Sequence, residues 1–198
     1  VLDVKSEYDS LNSLQGRCYG ESTKEVINNA SAFNHAMKLE GILSCAKHFP
    51  GYTFAECDAH EKLPTVNRSK EEWEQYECAP FNALMPDIDS VMICHTHYPF
   101  FENNSPSPIP ASLSYNVVTK KLRNQLSFDN GLVMTDDLDM GAILNEFGFD
   151  ETSTIYFCPQ TAFKFHPDID VVFSQIIDQD SNAIILVLQG AVPFWTDA

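Results

Sequence analysis

Apolar residues recur along this chain in two alternating patterns, short unbroken runs and longer stretches at helical spacing. Val1-Leu2-Asp3-Val4 opens on the first kind and predicts a strand. From Thr23 to Glu40, Val26, Ala30, Phe33 and Met37 fall on one face, with Thr23 placed as a cap, and this predicts a helix. Gly41 breaks that helix, and residues 42–49 (ILSCAKHF) form the next apolar run. Glu71 to Met85 carries Trp73, Tyr76, Phe81 and Leu84 at helical spacing, but Pro80 must kink or split it. Residues 90–98 (SVMICHTHY) predict a strand, followed by a Pro/Asn/Ser loop over 99–112. Ser114 can cap a helix carrying Val118, Leu122 and Leu126, and residues 130–137 (NGLVMTDD) form a further strand.

Strands separated by helices, and apolar on both faces, imply parallel βαβ units with a covered sheet. The expected fold class is α/β, a partial (β/α)8 TIM-barrel-like domain. A whole barrel needs roughly 250 residues, and only four strands are predicted before residue 140, so this chain is too short to close one. The opening on Val1, inside an apolar run and without Met, suggests that the N-terminus is missing.

Composition narrows the partners. With 28 Asp+Glu against 12 Lys+Arg, the net charge is −16 over 198 residues, a surface that repels nucleic acid and anionic lipid. A 44% hydrophobic fraction supports a folded core. No run reaches the ~18 apolar residues of a membrane span. Six cysteines without a C-x-x-C pair suggest a reducing, cytoplasmic setting. Oligomeric state is not legible.

In a barrel, chemistry gathers at the C-terminal ends of strands. Here those ends carry Lys47-His48, His95 and His97, and Asp136-Asp137. A metal site built from His95-Thr96-His97 would need further ligands in later strands, and only His166 follows. Packing or a substrate hydrogen bond accounts better for the two histidines. Strand-end placement alone does not choose a reaction.

Several blocks in order do choose one. AKHFPG (46–51), then Asp58-Ala59-His60 and Leu63-Pro64, resembles the signature K-H-F-P-G-H-G…D-S-H…P of glycoside hydrolase family 3 β-N-acetylglucosaminidases. VLDV and GRCYG (16–20) upstream, and IPASLS (109–114), LRNQLSF (122–128) and GLVMTDDLDMGAI (131–143) downstream, match further blocks of that family. The resemblance covers residues 1–148. It implies a retaining exo-enzyme that releases terminal β-linked N-acetylglucosamine, from peptidoglycan fragments as in bacterial recycling or from chitin oligomers, with no cofactor and no metal.

By the same resemblance, Asp136 is the nucleophile that forms a covalent glycosyl intermediate. His60, held by Asp58, is the acid/base in place of a second carboxylate. Lys47, His48 and Arg17 contact the substrate. Asp137 is expected to support the site or start a helix, and Asp139 to be an exposed charge. Tyr52-Thr53 stands where the family has His-Gly, and Ala59 where it has Ser. The strands before VLDV, which in relatives supply a sugar-gripping Asp, are absent.

Residues 149–198 depart from the family pattern. They predict a strand over Ile155–Cys158, a helix over Val171–Ile177 and a strand over Ala183–Leu188, a βαβ segment. The run FCPQTAFKFHPDID resembles the nucleotide-sugar half of O-GlcNAc-transferase-like glycosyltransferases (family 41), which implies a diphosphate contact by Gln160 and Lys164. The segment is then either a piece of that fold or a divergent ending of the barrel, and the chain either a glycosidase, an inactive sugar-binding fragment or a transferase fragment.

Overall fold

A computed structural model describes residues 1–102, 105–147, 154–161 and 169–188. Three strands, β1 (Cys45–Phe49), β2 (Ser90–Ile93) and β3 (Leu132–Thr135), form a parallel sheet in the order β1-β2-β3. Helix α1 (Thr23–Leu39) precedes β1, helices α2 (Lys70–Tyr76) and α3 (Cys78–Leu84) lie between β1 and β2, and a π-wound helix over Asn116–Gln125 lies between β2 and β3. Helix α4 (Gly141–Phe147) follows β3. This is the βα alternation that the apolar periodicity predicts.

The differences lie at element ends. Val1–Val4 is not a strand, although Leu2, Asp3 and Val4 are buried: Leu2 N–H donates to Lys47 O at 2.6 Å, yet Val4 N–H donates to Thr53 Oγ1, so no ladder continues. Helix α1 is capped by Ser22, not Thr23; the Ser22 hydroxyl accepts the Glu25 amide, and Thr23 Oγ1 donates instead to Gln75 O. Gly41 adopts φ +71°, the left-handed conformation that closes a helix, and Ile42 N–H returns to Met37 O. Ile42 and Leu43 are therefore exposed (52% and 78%), and β1 begins only at Cys45.

The stretch 71–85 splits at Glu77 into α2 and α3, because Pro80 in the first turn of α3 has no N–H to continue the α2 ladder. Ser69 and Glu72 form a reciprocal capping box that starts α2. Strand β2 ends at Ile93, short of Tyr98, since His97 N–H turns aside to Pro64 O. Ser114 does cap its helix: its hydroxyl accepts the Val117 amide at 3.0 Å.

Two apolar clusters hold the fold. One lies between the sheet and the helices that cover it and includes Val26, Phe49, Phe81, Val91, Ile93 and Leu122. The other lies beneath the loops at the strand C-terminal ends and includes Leu14, Tyr52, Ala59, Trp73, Cys94, Tyr98 and Met140. Trp73 is fully buried there and donates from Nε1 to Pro50 O at 2.8 Å. The loops that carry the polar strand ends thus rest on a core of their own.

In the C-terminal segment, β4 (Thr154–Thr161) and β5 (Ala183–Leu188) pair in parallel, with α5 (Ile169–Gln179) between them in sequence. The predicted βαβ order is present, in a two-stranded sheet separate from the first. Among the described residues, no helix is long and apolar enough to cross a membrane.

Candidate active site

A cavity of about 210 Å³ opens at the C-terminal end of the β1-β2-β3 sheet. Arg17, Lys47, His48, Asp58, His60 and Asp136 all line it, although they span 120 positions of sequence (17 to 136, counted inclusively). Every residue that the glycosidase resemblance assigns to catalysis or substrate is brought to one place. Gln160 falls in β4, and Lys164 and His166 lie outside the described residues.

His48, the penultimate residue of β1, is buried. Its Nδ1 donates to Asp3 Oδ2 at 2.8 Å, and its Nε2 accepts from Arg17 Nη2 at 3.3 Å. A guanidinium can only donate, so these contacts fix the tautomer with the proton on Nδ1. Asp3 is itself enclosed; its Oδ1 accepts the Tyr52 amide at 2.8 Å. A carboxylate taken out of water must be met by donors, and Asp3 has three, the His48 ring, the His48 amide and the Tyr52 amide. Lys47, half-buried beside His48, makes no ion pair or side-chain hydrogen bond among the described residues, so its ammonium is free for a ligand.

Asp58 and His60 occupy a turn that projects over the cavity. His60 Nδ1 donates to Asp58 Oδ1 at 2.7 Å, and the His60 amide donates to the same oxygen. The Ser13 hydroxyl donates to Asp58 Oδ2. Partial burial raises the Asp58 carboxyl, but the donors from Ser13 and His60 outweigh it and hold the group below the usual carboxylate range. Asp58 therefore stays ionised and keeps the His60 ring oriented, with Nε2 left open.

The turn is fastened to the opposite wall by main-chain bonds. Gly141 N–H donates to His60 O at 3.0 Å, Ala142 N–H to Ala59 O at 2.9 Å, and Asn145 Nδ2 to Glu61 O at 2.8 Å. These donors come from the start of α4, five residues after Asp136. Asp136 itself follows β3, its amide bonded to Ile93 O and one carboxylate oxygen accepting the Asp137 amide at 3.0 Å. Asp137 turns away to accept the Asp139 amide, and Asp139 is exposed in the turn that precedes α4.

The two strand-end histidines serve the scaffold. His95 is fully buried, donates from Nε2 to Asp137 O at 2.8 Å and accepts the Ser112 hydroxyl on Nδ1. Burial lowers its pKa, so it stays neutral and holds the peptide that follows Asp137. His97 packs its Nδ1 against the Ile109 main chain. Among the described residues, no group of three His, Cys, Asp or Glu side chains could hold a metal ion.

Sequence reasoning alone missed Asp3, Tyr52, Asn12 and Ser13, which complete the cavity or brace its polar groups. For Asp3 a signal existed, a carboxylate inside the apolar run VLDV. Tyr52 was marked only as a departure from the family's His-Gly, and Ser13 carried no signal, because a serine in a loop is ordinary.

A parallel sheet whose C-terminal ends gather a carboxylate, an Asp–His pair and two cations is the architecture of a barrel-type glycoside hydrolase. The comparisons name the family: the Glycosyl hydrolase family 3 N terminal domain matches residues 1–156, and the chain belongs to that family. A "Beta-hexosaminidase" of Pseudomonas aeruginosa (strain LESB58) is 37% identical over 140 residues, 71% of this chain and 40% of that protein. The solved family 3 β-N-acetylglucosaminidase of Paenibacillus sp. str. FPU-7 superimposes with a TM-score of 0.67 at 33% identity, covering 74% of this chain and 27% of that one. NagZ of Neisseria gonorrhoeae, solved with zinc ion, covers 99% of this chain and 46% of its own at a TM-score of 0.59 and 23% identity, a likeness of fold alone. The chain thus spans about two fifths of the length of the curated relatives it matches.

Proposed function

We propose that this chain carries the catalytic half-site of a retaining exo-β-N-acetylglucosaminidase. The carrying observation is the single cavity that gathers Arg17, Lys47, His48, Asp58, His60 and Asp136. Asp136 attacks the anomeric carbon while His60 Nε2 gives a proton to the departing glycosidic oxygen, leaving a glycosyl ester on Asp136. His60 then takes a proton from water, which attacks the same carbon and restores Asp136 with net retention. Asp58 holds Nδ1–H throughout. Lys47, Arg17 and His48 bind sugar hydroxyls. A histidine in place of a second carboxylate presents no fixed negative charge to the acceptor, so phosphate can compete with water there.

The test is release of p-nitrophenol from its N-acetyl-β-glucosaminide. Wild type is expected to turn over with retention by proton NMR, and Asp136→Asn to lose about a thousandfold in kcat or more. Turnover equal in both would overturn the assignment. Sugar binding without product in the wild type would favour an inactive binding fragment.

For the tail we propose a divergent barrel ending rather than a transferase piece. The parallel β4–β5 pair and the barrel structure that covers 99% of the chain support this. Titration with UDP at millimolar concentration should give no binding heat, and binding that is lost in Lys164→Ala would reverse the choice.

A further inference from the structure

We infer that Tyr52 is the positioning residue that sets the Asp58–His60 turn over the cavity in the absence of substrate. The inference rests on the reading of His60 as acid/base and adds what holds it there. Tyr52 stands where the family signature has a histidine, so the device belongs to this chain's own sequence.

Both ends of the residue are engaged. Its amide donates to Asp3 Oδ1 at 2.8 Å, and its carbonyl accepts from Asn12 Nδ2 at 3.0 Å, which ties the backbone to the buried Asp3–His48 hydrogen-bonded pair. Its phenol oxygen accepts the Ala59 amide at 2.6 Å. Its hydroxyl donates to Cys57 O at 3.4 Å, and since Ala59 lies between Asp58 and His60, the two bonds hold the main chain that leads into the pair.

The ring between these ends is buried, stacks at a tilt on His48 with centroids 5.6 Å apart, and packs in the cluster with Leu14, Cys94 and Met140. Tyr52 is thus a rigid strut between the sugar-contacting side of the cavity and its acid/base side. Burial also drives the phenol pKa well above its ordinary value, so the oxygen stays a hydroxyl over the working pH range. The Ala59 carbonyl is held from the opposite side by the Ala142 amide, so the peptides on both sides of Ala59 are held.

The phenylalanine variant removes the phenol oxygen, with its bonds to the Ala59 amide and Cys57 O, and keeps the ring. In wild type, hydrogen exchange followed by NMR should show the Ala59 amide protected, as a buried donor with a hydrogen-bond partner. In Tyr52→Phe, exchange at Ala59 and His60 should quicken about tenfold or more while the α1 and α2 amides keep their protection. With p-nitrophenyl N-acetyl-β-glucosaminide, kcat should fall about tenfold and KM stay within about twofold, the split that marks misplacement of an acid/base rather than loss of binding. An unprotected Ala59 amide in wild type would overturn the inference, and this needs no variant that folds. Unchanged exchange in Tyr52→Phe would overturn it equally. An inactive wild type whose Ala59 protection is lost in the variant overturns the acid/base reading alone and supports Tyr52 as the strut.

Discussion

Glu77, at the break between α2 and α3, is enclosed yet titratable. Its Oε2 accepts the Tyr98 hydroxyl at 2.6 Å. Burial pushes its pKa up to about 8, against the opposing pull of the Tyr98 hydrogen bond. The folded chain therefore retains a proton that the unfolded chain releases near pH 4.5, its ordinary value. Between those limits the native state binds more protons, so stability from this group is complete below pH 4.5 and declines as pH rises toward 8. Glu77→Gln should flatten that decline, measured as the pH dependence of the urea midpoint. A slope unchanged by the substitution would assign it elsewhere. Nothing in the sequence singled Glu77 out, because a glutamate between two helical runs reads as a solvated charge. Asp136, His60 and Lys47 were legible because their motifs fix spacing, and spacing survives without coordinates. What braces them was not, since Asp3, Ser13 and Tyr52 reach their partners 45, 45 and 7 positions away through folds of the main chain.

Apart from Val1–Val4, strand and helix identity followed from periodicity, and element ends did not. An apolar run records burial rather than pairing. Leu2, Asp3 and Val4 are buried without a ladder, and Ile42 and Leu43 are apolar but lie outside the sheet. At this scale the start of α4 is the telling element, because it meets the Asp58–His60 turn through main-chain amides at hydrogen-bond distance. A Cβ on Gly141 would lie 2.4 Å from Glu61 O and 2.7 Å from His60 O, both backbone atoms that cannot swing aside. Gly141→Ala is therefore expected to cost about 1–3 kcal/mol and to lower kcat, since the turn must lift away from Asp136. Thermal melting and steady-state kinetics on the variant check both. A variant with wild-type melting and kcat would show that the turn is not held there.

Across the whole molecule, 28 acidic residues against 12 basic ones give a charge of −16, and the sequence pI is about 4.5. Mutual repulsion should keep the chain dispersed at neutral pH, and turbidity should peak close to pH 4.5 as that repulsion vanishes. A neutral sugar feels none of this field, so kcat/KM for a neutral glycoside should hardly change with added salt.

The turn that carries His60 is gripped chiefly through peptide groups: Gly141 and Ala142 amides on its carbonyls, with Asn145 reaching a third. The exposed side chains of Glu61 and Lys62 take no part in that grip. Peptide groups are common to every amino acid, so these two positions are free to drift, in evolution or in a randomised library, while the residues beside them hold their place. Variation in what greets the far end of a glycoside can accumulate there without disturbing the chemistry next door.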